Sequence, residues 1–430
     1  MLVQSWGSFP KINSRGLSPR TYSDCISAIG ESLIPRGAGR SYGDSALSST
    51  VLCTKLLDRF IEFDQNKGIL TAQSGITLHE ILEITVPRGW FLHVTPGTSA
   101  VTLGGAVAAD VHGKNHHHCG TFSQYVCSIR LLIGTGDILI CSPSENEDLF
   151  QATCGGMGLT GIILSVTLQL QKISSSLIQQ TTYKLNGLEE ICEKFIDFHK
   201  STYSVAWLDG TTGGSNSGRG LLMLGEHSEN GPLNYQNKSA ISIPFCAPKR
   251  LLNKQSIGLF NSVYFHKNSK AENRQTSLSS YFYPLDTIKN WNRLYGSAGF
   301  VQYQCVVPET AALNGIKLIF DAVYRYGFNP FLSVVKKLGP ENHNPLSFPM
   351  TGYTLSVDIQ VSEGLRNLVS YLDHLVIELG GRVYLAKDAL LKEDSFKRMY
   401  PKWQHFEAIR EKYGAFGRFS SAQSIRLGLR

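Results

Sequence analysis

Hydrophobic and polar residues alternate over short stretches in the first part of the chain, and glycine-rich turns separate these stretches. Such alternation is typical of β-strands with one buried face. Residues 61–63 and 69–72 flank a DQNKG turn, and residues 126–133 and 138–141 flank a GTGD turn, so each pair predicts a β-hairpin. A further alternating strand is expected at 162–170. This part of the chain therefore predicts an α+β domain built on hairpins rather than on βαβ repeats.

Longer helical periods appear after a linker expected near 171–180. Residues 225–280 lack strong periodicity and are rich in Asn, Ser and Lys, which predicts loops over a site or a surface insertion. Two capping boxes, Thr77 with Glu80 and Ser144 with Glu147, predict the starts of short helices in the first part. Elsewhere the pattern predicts helices at 185–200, 309–326 and 364–379, strands at 203–208, 300–307, 330–335, 354–361 and 382–385, and a basic tail of helical character over 392–430.

Composition narrows the class of protein. A chain of 430 residues is long enough for about two or three domains. The net charge of +7 suits a phosphate-bearing ligand or a weak contact with a membrane surface, but it is too moderate for a nucleic-acid-binding protein. Nine cysteines without a CxxC pair indicate reduced thiols, and the sequence shows neither a signal peptide nor a membrane span. We therefore expect a cytoplasmic globular protein.

Residues 95–122, TPGTSAVTLGGAVAADVHGKNHHHCGTF, join a small apolar surface to a polar loop. Gly104 and Gly105 lie among alanines, so backbone rather than side chain would face a neighbouring ligand. Glycine permits that close approach. Residues 112–116, HGKNH, then add hydrogen-bond donors and a positive charge. A backbone wall beside a polar cluster predicts a cofactor site.

The same segment offers imidazoles for a metal ion. Adjacent loop histidines cannot all converge on one ion, and no Asp or Glu pattern completes a coordination sphere, so we predict no metal site. One or two of the histidines facing a ligand, or histidines that merely stabilise the loop, are the other interpretations. The histidines concerned are His112, His116, His117 and His118.

Residues 35–44, PRGAGRSYGD, form a second candidate loop. Its three glycines would expose consecutive N–H groups as an anion-binding nest, while Arg40 and Ser41 add charge and a hydroxyl. No G-K-[ST] follows, so this is not a Walker loop, and a simple turn between strands is the alternative. Residues 156–161 match a dinucleotide fingerprint, but a strand follows them where a helix is required, so we interpret these glycines as turn and packing positions.

Tyr384 and Lys387 lie close together in YLAKD, at the end of a predicted strand. Without further context, such a lysine is interpreted as a surface charge. If Lys387 points into a cleft, it can bind a substrate hydroxyl or stabilise developing negative charge.

These motifs together resemble the decaprenylphosphoryl-β-D-ribose oxidase family, which belongs to the vanillyl-alcohol-oxidase type of FAD-dependent oxidoreductases. The resemblance extends over essentially the whole chain, and HGKNHH together with YLAK is its most specific part. It rests on PRGAGRSYGD, the 95–122 segment, GGMGLTGIIL, GFVQYQCVVP, FLSVVKKLGPENHNPLSFP, GYTLSVDI and RVYLAKDA.

The resemblance implies an α+β fold with a two-part PCMH-type FAD-binding domain and a substrate domain that contains an antiparallel sheet. The corresponding boundaries are 1–175 for the FAD-binding domain, 176–381 for the substrate domain and 382–430 for a segment that returns to the FAD-binding domain. FAD would contact Arg36, Gly37, Ala38, Gly39, Arg40, Ser41, Tyr42, Gly43, Pro96, Gly97, Thr98, Ser99, Leu103, Gly104, Gly105, Ala109, His112, Gly113, Asn115, Gly120, Thr121, Gly158, Gly161, Ile162 and Ile163.

The implied reaction is oxidation of a sugar secondary alcohol to a ketone, here the 2-hydroxyl of a polyprenyl-phosphate-linked ribose, as the first half of an epimerisation to arabinose in cell wall biosynthesis. Catalysis is expected from Lys387, with support from Tyr384 and His112. Quinone or oxygen would reoxidise the flavin, and an NAD(P)-dependent reductase is an implied partner. The substrate pocket would be lined by Tyr42, Lys114, Trp207, Gln302, Gln304, Lys336, Ser356 and Lys387.

Two departures from related patterns matter. Many relatives tether FAD through a histidine in the first glycine loop, whereas Arg40 and Ser41 stand there in this chain, so we predict non-covalent FAD. Ser356 occupies the position of a reactive cysteine found in some family members, so covalent inhibition through that thiol should not occur. The basic tail also allows a peripheral contact with the inner face of a membrane through Lys397, Arg398 and Lys402.

Two other functions remain open. A sugar-1,4-lactone oxidase of the D-arabinono-1,4-lactone type, or an alditol oxidase, would share the fold and FAD but act on a small soluble polyol. A non-redox protein that binds a ligand or a metal through the histidine loop is the second alternative. A colourless purified protein that takes up zinc would favour it.

Overall fold

Five β-sheets and the helices packed on them make up the computed structural model, which describes residues 1–211, 218–235, 241–248, 251–268 and 271–430. The strands within these ranges are β1 (Leu2–Gln4), β2 (Lys11–Asn13), β3 (Arg15–Leu17), β4 (Ile34–Arg36), β5 (Thr50–Cys53), β6 (Phe60–Asp64), β7 (Ile69–Gln73), β8 (Trp90–Leu92), β9 (Val126–Leu132), β10 (Ile138–Cys141), β11 (Ile162–Lys172), β12 (Leu177–Leu185), β13 (Tyr203–Leu208), β14 (Gly220–His227), β15 (Ile241–Ser242), β16 (Ala271–Ser277), β17 (Ile288–Lys289), β18 (Phe300–Pro308), β19 (Ser333–Leu338), β20 (Gly352–Gln360) and β21 (Arg382–Val383).

The α-helices of the described residues lie between and after these strands. They are α1 (Tyr22–Ser27), α2 (Leu78–Thr85), α3 (Leu103–Ala108), α4 (His116–Cys119), α5 (Glu147–Thr153), α6 (Leu188–Asp197), α7 (Lys254–Lys267), α8 (Leu278–Phe282), α9 (Ala312–Arg325), α10 (Leu365–Glu378), α11 (Glu393–Met399), α12 (Trp403–Lys412) and α13 (Ala422–Arg426).

An antiparallel sheet in the order β10-β9-β11-β7-β6, with β8 paired to the end of β11, forms the centre of the first part of the chain. The two predicted hairpins are its β6–β7 and β9–β10 pairs. Helix α2 begins with the predicted capping box, since Thr77 accepts from the Glu80 N–H while the Glu80 side chain binds the Thr77 N–H. Helix α3 is anchored next to this sheet because the Leu103 and Gly104 N–H groups donate to backbone carbonyls just after β7.

A smaller sheet, β3-β5-β4, precedes the central sheet and is parallel. The hairpin signals do not predict it. Parallel strands pair over three residues here, and runs that short carry little periodicity. Strand β4 ends at Arg36 and therefore delivers the chain directly into the first glycine loop.

An eight-stranded antiparallel sheet dominates the second part, in the order β16-β12-β14-β13-β19-β20-β18-β21. One face carries the odd-numbered residues of β18 and packs under helices, as shown by Tyr303 OH, which donates to Asp373 of α10 at 3.1 Å. The other face carries the even-numbered residues of β18, β19 and β20, because Gln304 pairs with Ser356 and Ser356 pairs with Val334. This second face, called the polar face below, is where the candidate site lies.

The C-terminal segment packs against the first part of the chain after leaving the eight-stranded sheet at β21. Leu33 exchanges backbone hydrogen bonds with Arg418 and Ser420, and the Ala422 N–H donates to the Leu47 carbonyl at 2.7 Å. Phe419 is fully buried against apolar residues of the first part. The C-terminal segment therefore packs as a portion of the first part of the chain, while the domain limits at 175 and 381 stay predictions.

The structure differs from the local predictions at three places. Ser144 does not cap a helix, because residues 142–145 close a turn, and α5 begins after Asn146. Residues 225–280 are not merely loops: they contain α7 and β16. Strand β16 was missed because it is a polar edge strand, and α7 because its apolar residues lie on more than one face. The strand predicted at 330–335 is β19, which begins and ends three residues later.

No helix within the described ranges is long and apolar enough to cross a membrane. All nine cysteines are free thiols.

Candidate active site

The first glycine loop, residues 36–43, is built as an open turn of backbone. Gly39 has a φ of +65°, which favours glycine, and a Cβ atom there would lie 2.2 Å from the Arg36 guanidinium. Arg36 in turn donates to the carbonyls of Gln4 and Ala46, so it fixes the loop from behind. Among the hydrogen bonds of the described residues, none is donated by the backbone N–H groups of residues 38–41. Consecutive free N–H groups of this kind form an anion site.

The two glycine segments pack directly on one another. A Cβ atom at Gly37 would lie 2.1 Å from Thr102 Oγ1, the atom that caps α3 by accepting from the Gly105 N–H. Gly104 faces Ser74, and Leu103 is fully buried. Gly105 is exposed between buried neighbours, so it presents bare backbone at the surface of the cleft. The loop at 36–43 and the start of α3 therefore form one continuous wall.

Residues 96–99 form the rim of this wall. Gly97 is exposed, and a Cβ atom added there would meet nothing within 4 Å. Thr98 donates to Asp286 at 2.6 Å, and the Ser99 N–H and hydroxyl donate to the same carboxylate. Asp286 lies in the second part of the chain, so this rim, which includes Pro96, is bonded to that part. The side chains of Thr98 and Ser99 are engaged by protein, which leaves backbone for a cofactor.

The glycines at 155–161 support this wall from below. The Gly155 and Met157 N–H groups donate to carbonyls of α3, and Gly158, with a φ of +80°, packs on Pro35 and Ile34. A Cβ atom at Gly161 would lie 2.5 Å from the Leu132 carbonyl oxygen, inside the central sheet. Ile162 and Ile163 begin β11 and are buried. These glycines act as packing positions, in agreement with the interpretation made when no helix was found to follow them in the sequence.

The HGKNHH loop lies between the wall and the eight-stranded sheet. His112 is buried, and its Nε2 lies 3.1 Å from Gln304 Nε2 on the polar face, while its Nδ1 has no partner in the described part of the chain. Tyr384 OH donates to the Ala109 carbonyl at 2.8 Å, and its ring packs against His112. Burial and nearby lysines hold the pKa of His112 well below its usual range, so it is a neutral imidazole.

Two histidines of the same loop connect the first part of the protein with the second, while its other residues bond within the first part. Asn115 donates to the His93 carbonyl at 2.7 Å, and His116 Nδ1 accepts from the Gly339 N–H at 2.9 Å. His117 Nε2 lies 3.0 Å from the Ser201 carbonyl, and His118 is exposed. Thr121 pairs with His112 in an isolated β-bridge, and Gly113 and Gly120 flank that pair. No group of three or more His, Cys, Asp or Glu residues that could hold a metal ion occurs within the described ranges.

The predicted substrate residues of the eight-stranded sheet share its polar face. Register places Trp207 opposite Val334, Val334 opposite Ser356, and Ser356 opposite Gln304. Lys336 lies opposite Thr354, and Gln302 lies opposite Asp358. Strand alternation thus brings together residues separated by up to 151 positions, from 207 to 358.

Lys387 reaches this face from the C-terminal segment. Its Nζ lies 3.7 Å from the centroid of the Tyr42 ring, which packs edge-on against Phe300. Burial lowers the pKa of Lys387 to about 7, an effect that the nearby Asp358 carboxylate opposes and Lys336 reinforces. At neutral pH this amine is therefore partly unprotonated and can accept a proton. The interpretation of Lys387 as a plain surface charge does not fit this environment.

Two other lysines approach the same space. Lys114 donates to the Tyr281 carbonyl and sits 4.1 Å from the centroid of the Tyr281 ring. Burial lowers the pKa of Lys114 to about 7 and that of Lys336 to about 8, and Lys336 lowers the pKa of both other lysines by repulsion. Three lysines with lowered pKa values thus share one region, and the Asp358 carboxylate favours the charged form of Lys387 there.

Asp358, Asp110 and Arg426 are site residues that the sequence analysis missed. Asp358 accepts from Gln302 at 2.6 Å and from Tyr295 at 2.8 Å, and burial raises its pKa to about 6. Asp110 accepts from Asn342, Asn344, Ser347 and the Ser123 N–H. The strict alternation of TLSVDIQV, whose polar positions face a buried space, is the signal that could have found Asp358. Asp110 and Arg426 make contacts far away in sequence, and no local pattern marks them.

Comparison with known proteins agrees with this geometry. The FAD binding domain family matches residues 22–142. The chain is 35% identical over 418 residues to decaprenylphosphoryl-β-D-ribose oxidase of Mycolicibacterium smegmatis, over 93% of this chain and 90% of that protein. It is 26% identical over 422 residues to L-gulonolactone oxidase of Bos taurus, over 90% and 87% of the two chains. It is also 28% identical over 146 residues to D-arabinono-1,4-lactone oxidase of Yarrowia lipolytica, over 33% and 28%.

The fold and these matches define an FAD-dependent oxidoreductase with a PCMH-type FAD-binding domain. Identity of 35% along nearly the full length goes further. The chain belongs to the decaprenylphosphoryl-β-D-ribose oxidase family.

The residues of the wall fit FAD. The free N–H groups of residues 38–41 suit its pyrophosphate, and the exposed backbone at Gly97 and Gly105 leaves room for a flat ring system at close range. The unpartnered Nδ1 of buried His112 points to a group that the protein itself does not supply. No histidine or cysteine occurs in residues 36–43, so that loop offers no tether for a covalent bond.

Proposed function

We propose that this enzyme oxidises a secondary hydroxyl of a phosphate-linked sugar to a ketone, and that the group oxidised is the 2-hydroxyl of a polyprenyl-phosphate-linked ribose. The observation that carries the proposal is the convergence of Lys114, Lys336 and Lys387 on one polar face with little compensating negative charge. Half-buried cations that repel one another are stabilised when an anion binds among them. A phosphodiester supplies that anion, whereas a neutral lactone does not.

The polar face supports recognition of a sugar as well. Gln302, Gln304 and Thr354 are linked to Asp358 and His112 by hydrogen bonds, so their side chains are held in fixed directions. Amides and hydroxyls held in fixed directions can bind the hydroxyls of a sugar ring with little loss of side-chain entropy. Trp207 closes the far side with an apolar surface.

Lys387 accepts the hydroxyl proton in this proposal. Its pKa of about 7 places the free amine within reach at neutral pH, and Asp358 stabilises the ammonium ion that forms. FAD, when bound, would accept the hydride from the carbon that bears this hydroxyl, so that the proton and the hydride together account for the two-electron oxidation. Tyr384 does not take part as a base, because burial raises its pKa far above neutrality and its hydroxyl is engaged with Ala109. It orients the YLAK segment and His112.

The FAD is proposed to be non-covalent, and the ketone is proposed to pass to an NAD(P)H-dependent reductase, since a site that ends at a ketone performs half of an epimerisation. Quinone or oxygen serves as the electron acceptor. Acid precipitation of the purified yellow protein tests the first point. Flavin released into the supernatant supports it, and flavin retained in the pellet contradicts it.

Oxidation of a sugar-1,4-lactone is the second candidate, favoured by the match to L-gulonolactone oxidase over 90% of this chain. Anaerobic mixing separates the two. The holoenzyme is mixed with a short-chain polyprenylphosphoryl ribose, with L-gulono-1,4-lactone or with D-arabinono-1,4-lactone, and loss of the visible absorbance of the oxidised flavin is followed. Trapping the product with borodeuteride should place deuterium at C2 of the pentose. If a lactone reduces the flavin and the polyprenylphosphoryl ribose does not, the proposed phosphate-linked substrate is wrong.

A further inference from the structure

Helix α7 exposes an apolar face that the described part of the chain leaves uncovered. Ile257, Asn261 and Phe265 are buried on one side of the helix, yet Leu259, Phe260 and Val263 on another side are 69%, 52% and 60% exposed. A helix with apolar residues on two faces is ordinarily covered on both. Upstream, Ile241 and Phe245 are also exposed. We call the exposed face formed by Leu259, Phe260 and Val263 the apolar patch.

The chain segment that carries the apolar patch contains basic residues but no acidic ones. Residues 230–271 contain no Asp or Glu, whereas they contain Lys238, Lys249, Arg250, Lys254, Lys267 and Lys270. Lys254 and Lys267 are the first and last residues of α7, so they flank the exposed stripe. Apolar side chains bordered by lysines, without acidic residues, are complementary to an interface of anionic lipid, where the lysines meet headgroups and the apolar residues enter the acyl boundary.

The apolar patch is continuous with the candidate active site. Phe260 contacts Phe331 with ring centroids 5.4 Å apart, and Phe331 contacts Tyr295 at 6.2 Å. Tyr295 stacks on Phe300 at 3.9 Å, which in turn packs against Tyr42 beneath Lys387. A line of aromatic rings therefore joins the exposed surface to the residue proposed to accept the proton.

We propose that the apolar patch docks this enzyme on an anionic membrane surface and presents the polar face to lipid-linked substrate held there. The lipid-linked substrate rests on the proposed function, whereas the docking does not. Lys397 of the C-terminal tail is less available for such a contact, because it is already paired with Glu393 on its own helix. A second copy of the chain is the competing occupant.

Vesicle co-sedimentation of the holoenzyme tests the proposal. Wild type is mixed with vesicles of phosphatidylcholine alone or with added phosphatidylglycerol, and compared with the double variant Leu259→Ser/Val263→Ser, which leaves Phe260 in place. The matched control is Ile140→Ser/Ile196→Ser, two similarly exposed residues on β10 and α6. We expect binding that strengthens with phosphatidylglycerol, falls about tenfold or more in the α7 variant and is unchanged in the control.

Several results would overturn the docking surface. Wild type that fails to sediment with phosphatidylglycerol vesicles would do so, as would equal losses in the α7 variant and the control. A dimer that requires Leu259 and Val263, without vesicle binding, would assign the apolar patch to a second copy. Flavin reduction by a water-soluble short-chain substrate is measured beside each binding assay. If that substrate does not reduce the flavin while the protein still binds vesicles, the proposed function is contradicted and the docking surface is supported.

Discussion

Replacing Arg426 should loosen the cofactor wall and the Lys387 segment together. The guanidinium binds Asp44 at 2.6 and 3.1 Å and Asp388 at 2.9 Å, and it also donates to the Leu391 carbonyl. Asp44 follows the first glycine loop, and Asp388 follows Lys387, so one side chain fixes both. In Arg426→Met, two buried carboxylates would face each other without a counter-ion. The expected result is a large loss of stability with loss of FAD.

The magnitude follows from burial. Removing one partner of a buried ion pair costs about 3–5 kcal/mol, and the side chain of Arg426 is 23% exposed, so we expect a value near the lower end, about 3 kcal/mol. The control is Arg418→Met, because Arg418 makes one exposed bond to the Gly30 carbonyl and its loss should cost about 1 kcal/mol or less. Urea unfolding followed by far-UV circular dichroism and by flavin fluorescence measures both variants.

The loss in Arg426→Met should depend on pH. Burial and Asp388 already raise the pKa of Asp44 in the folded protein, and Arg426 opposes that rise. Without Arg426 the carboxyl pKa rises further, so the folded state binds a proton that the unfolded state does not, and acid relieves the penalty. The deficit should therefore be larger at pH 8 than at pH 5. A deficit equal to that of Arg418→Met, or one that grows as pH falls, would refute the reasoning.

Three further predictions concern the site. In Asp358→Asn, loss of the negative charge should lower the pKa of Lys387. The rising limb in a plot of flavin-reduction rate against pH should therefore move to lower pH. A limb that does not move would show that Asp358 does not influence the group that titrates. Gly97→Ala should leave the unfolding of the apoprotein unchanged but weaken FAD binding in fluorescence titration, because its Cβ meets open space in the protein; equal affinity would place FAD elsewhere. Tyr384→Phe should cost about 1 kcal/mol of stability through the lost bond to Ala109 and lower the rate of flavin reduction less than tenfold, and a larger fall in rate would give Tyr384 a chemical role.

Local patterns predicted much of the fold because they reflect local physics. The hairpins of the first part, the capping box at Thr77 and the alternating strand at 354–361 follow from period and turn chemistry within a few residues. The glycine segments were likewise visible, because bare backbone at Gly105 and the turn at Gly39 need glycine for a local reason. The match to the FAD binding domain family and to the oxidase then identifies FAD as the cofactor.

What escaped prediction depends on contacts between distant residues. The parallel strands β3 and β5 pair over three positions, and the edge strand β16 has no buried face to impose alternation. Asp110 accepts hydrogen bonds from residues more than 200 positions away, and Arg426 reaches Asp44 across 382 positions. Sequence spacing carries no information on such pairs, because their meeting is decided by the packing of whole sheets.

The return of the C-terminal segment has a consequence for biosynthesis. The first glycine loop leaves the ribosome early, but the Tyr42 N–H donates to the Ala386 carbonyl. A Cβ atom added at Gly43 would lie 1.5 Å from the Asp388 carbonyl oxygen, so this glycine packs directly on the C-terminal segment. The final support for that loop is translated more than 300 residues after it. A nascent chain can therefore fold its hairpins during translation, whereas we expect tight flavin loading to await synthesis of the C-terminal segment.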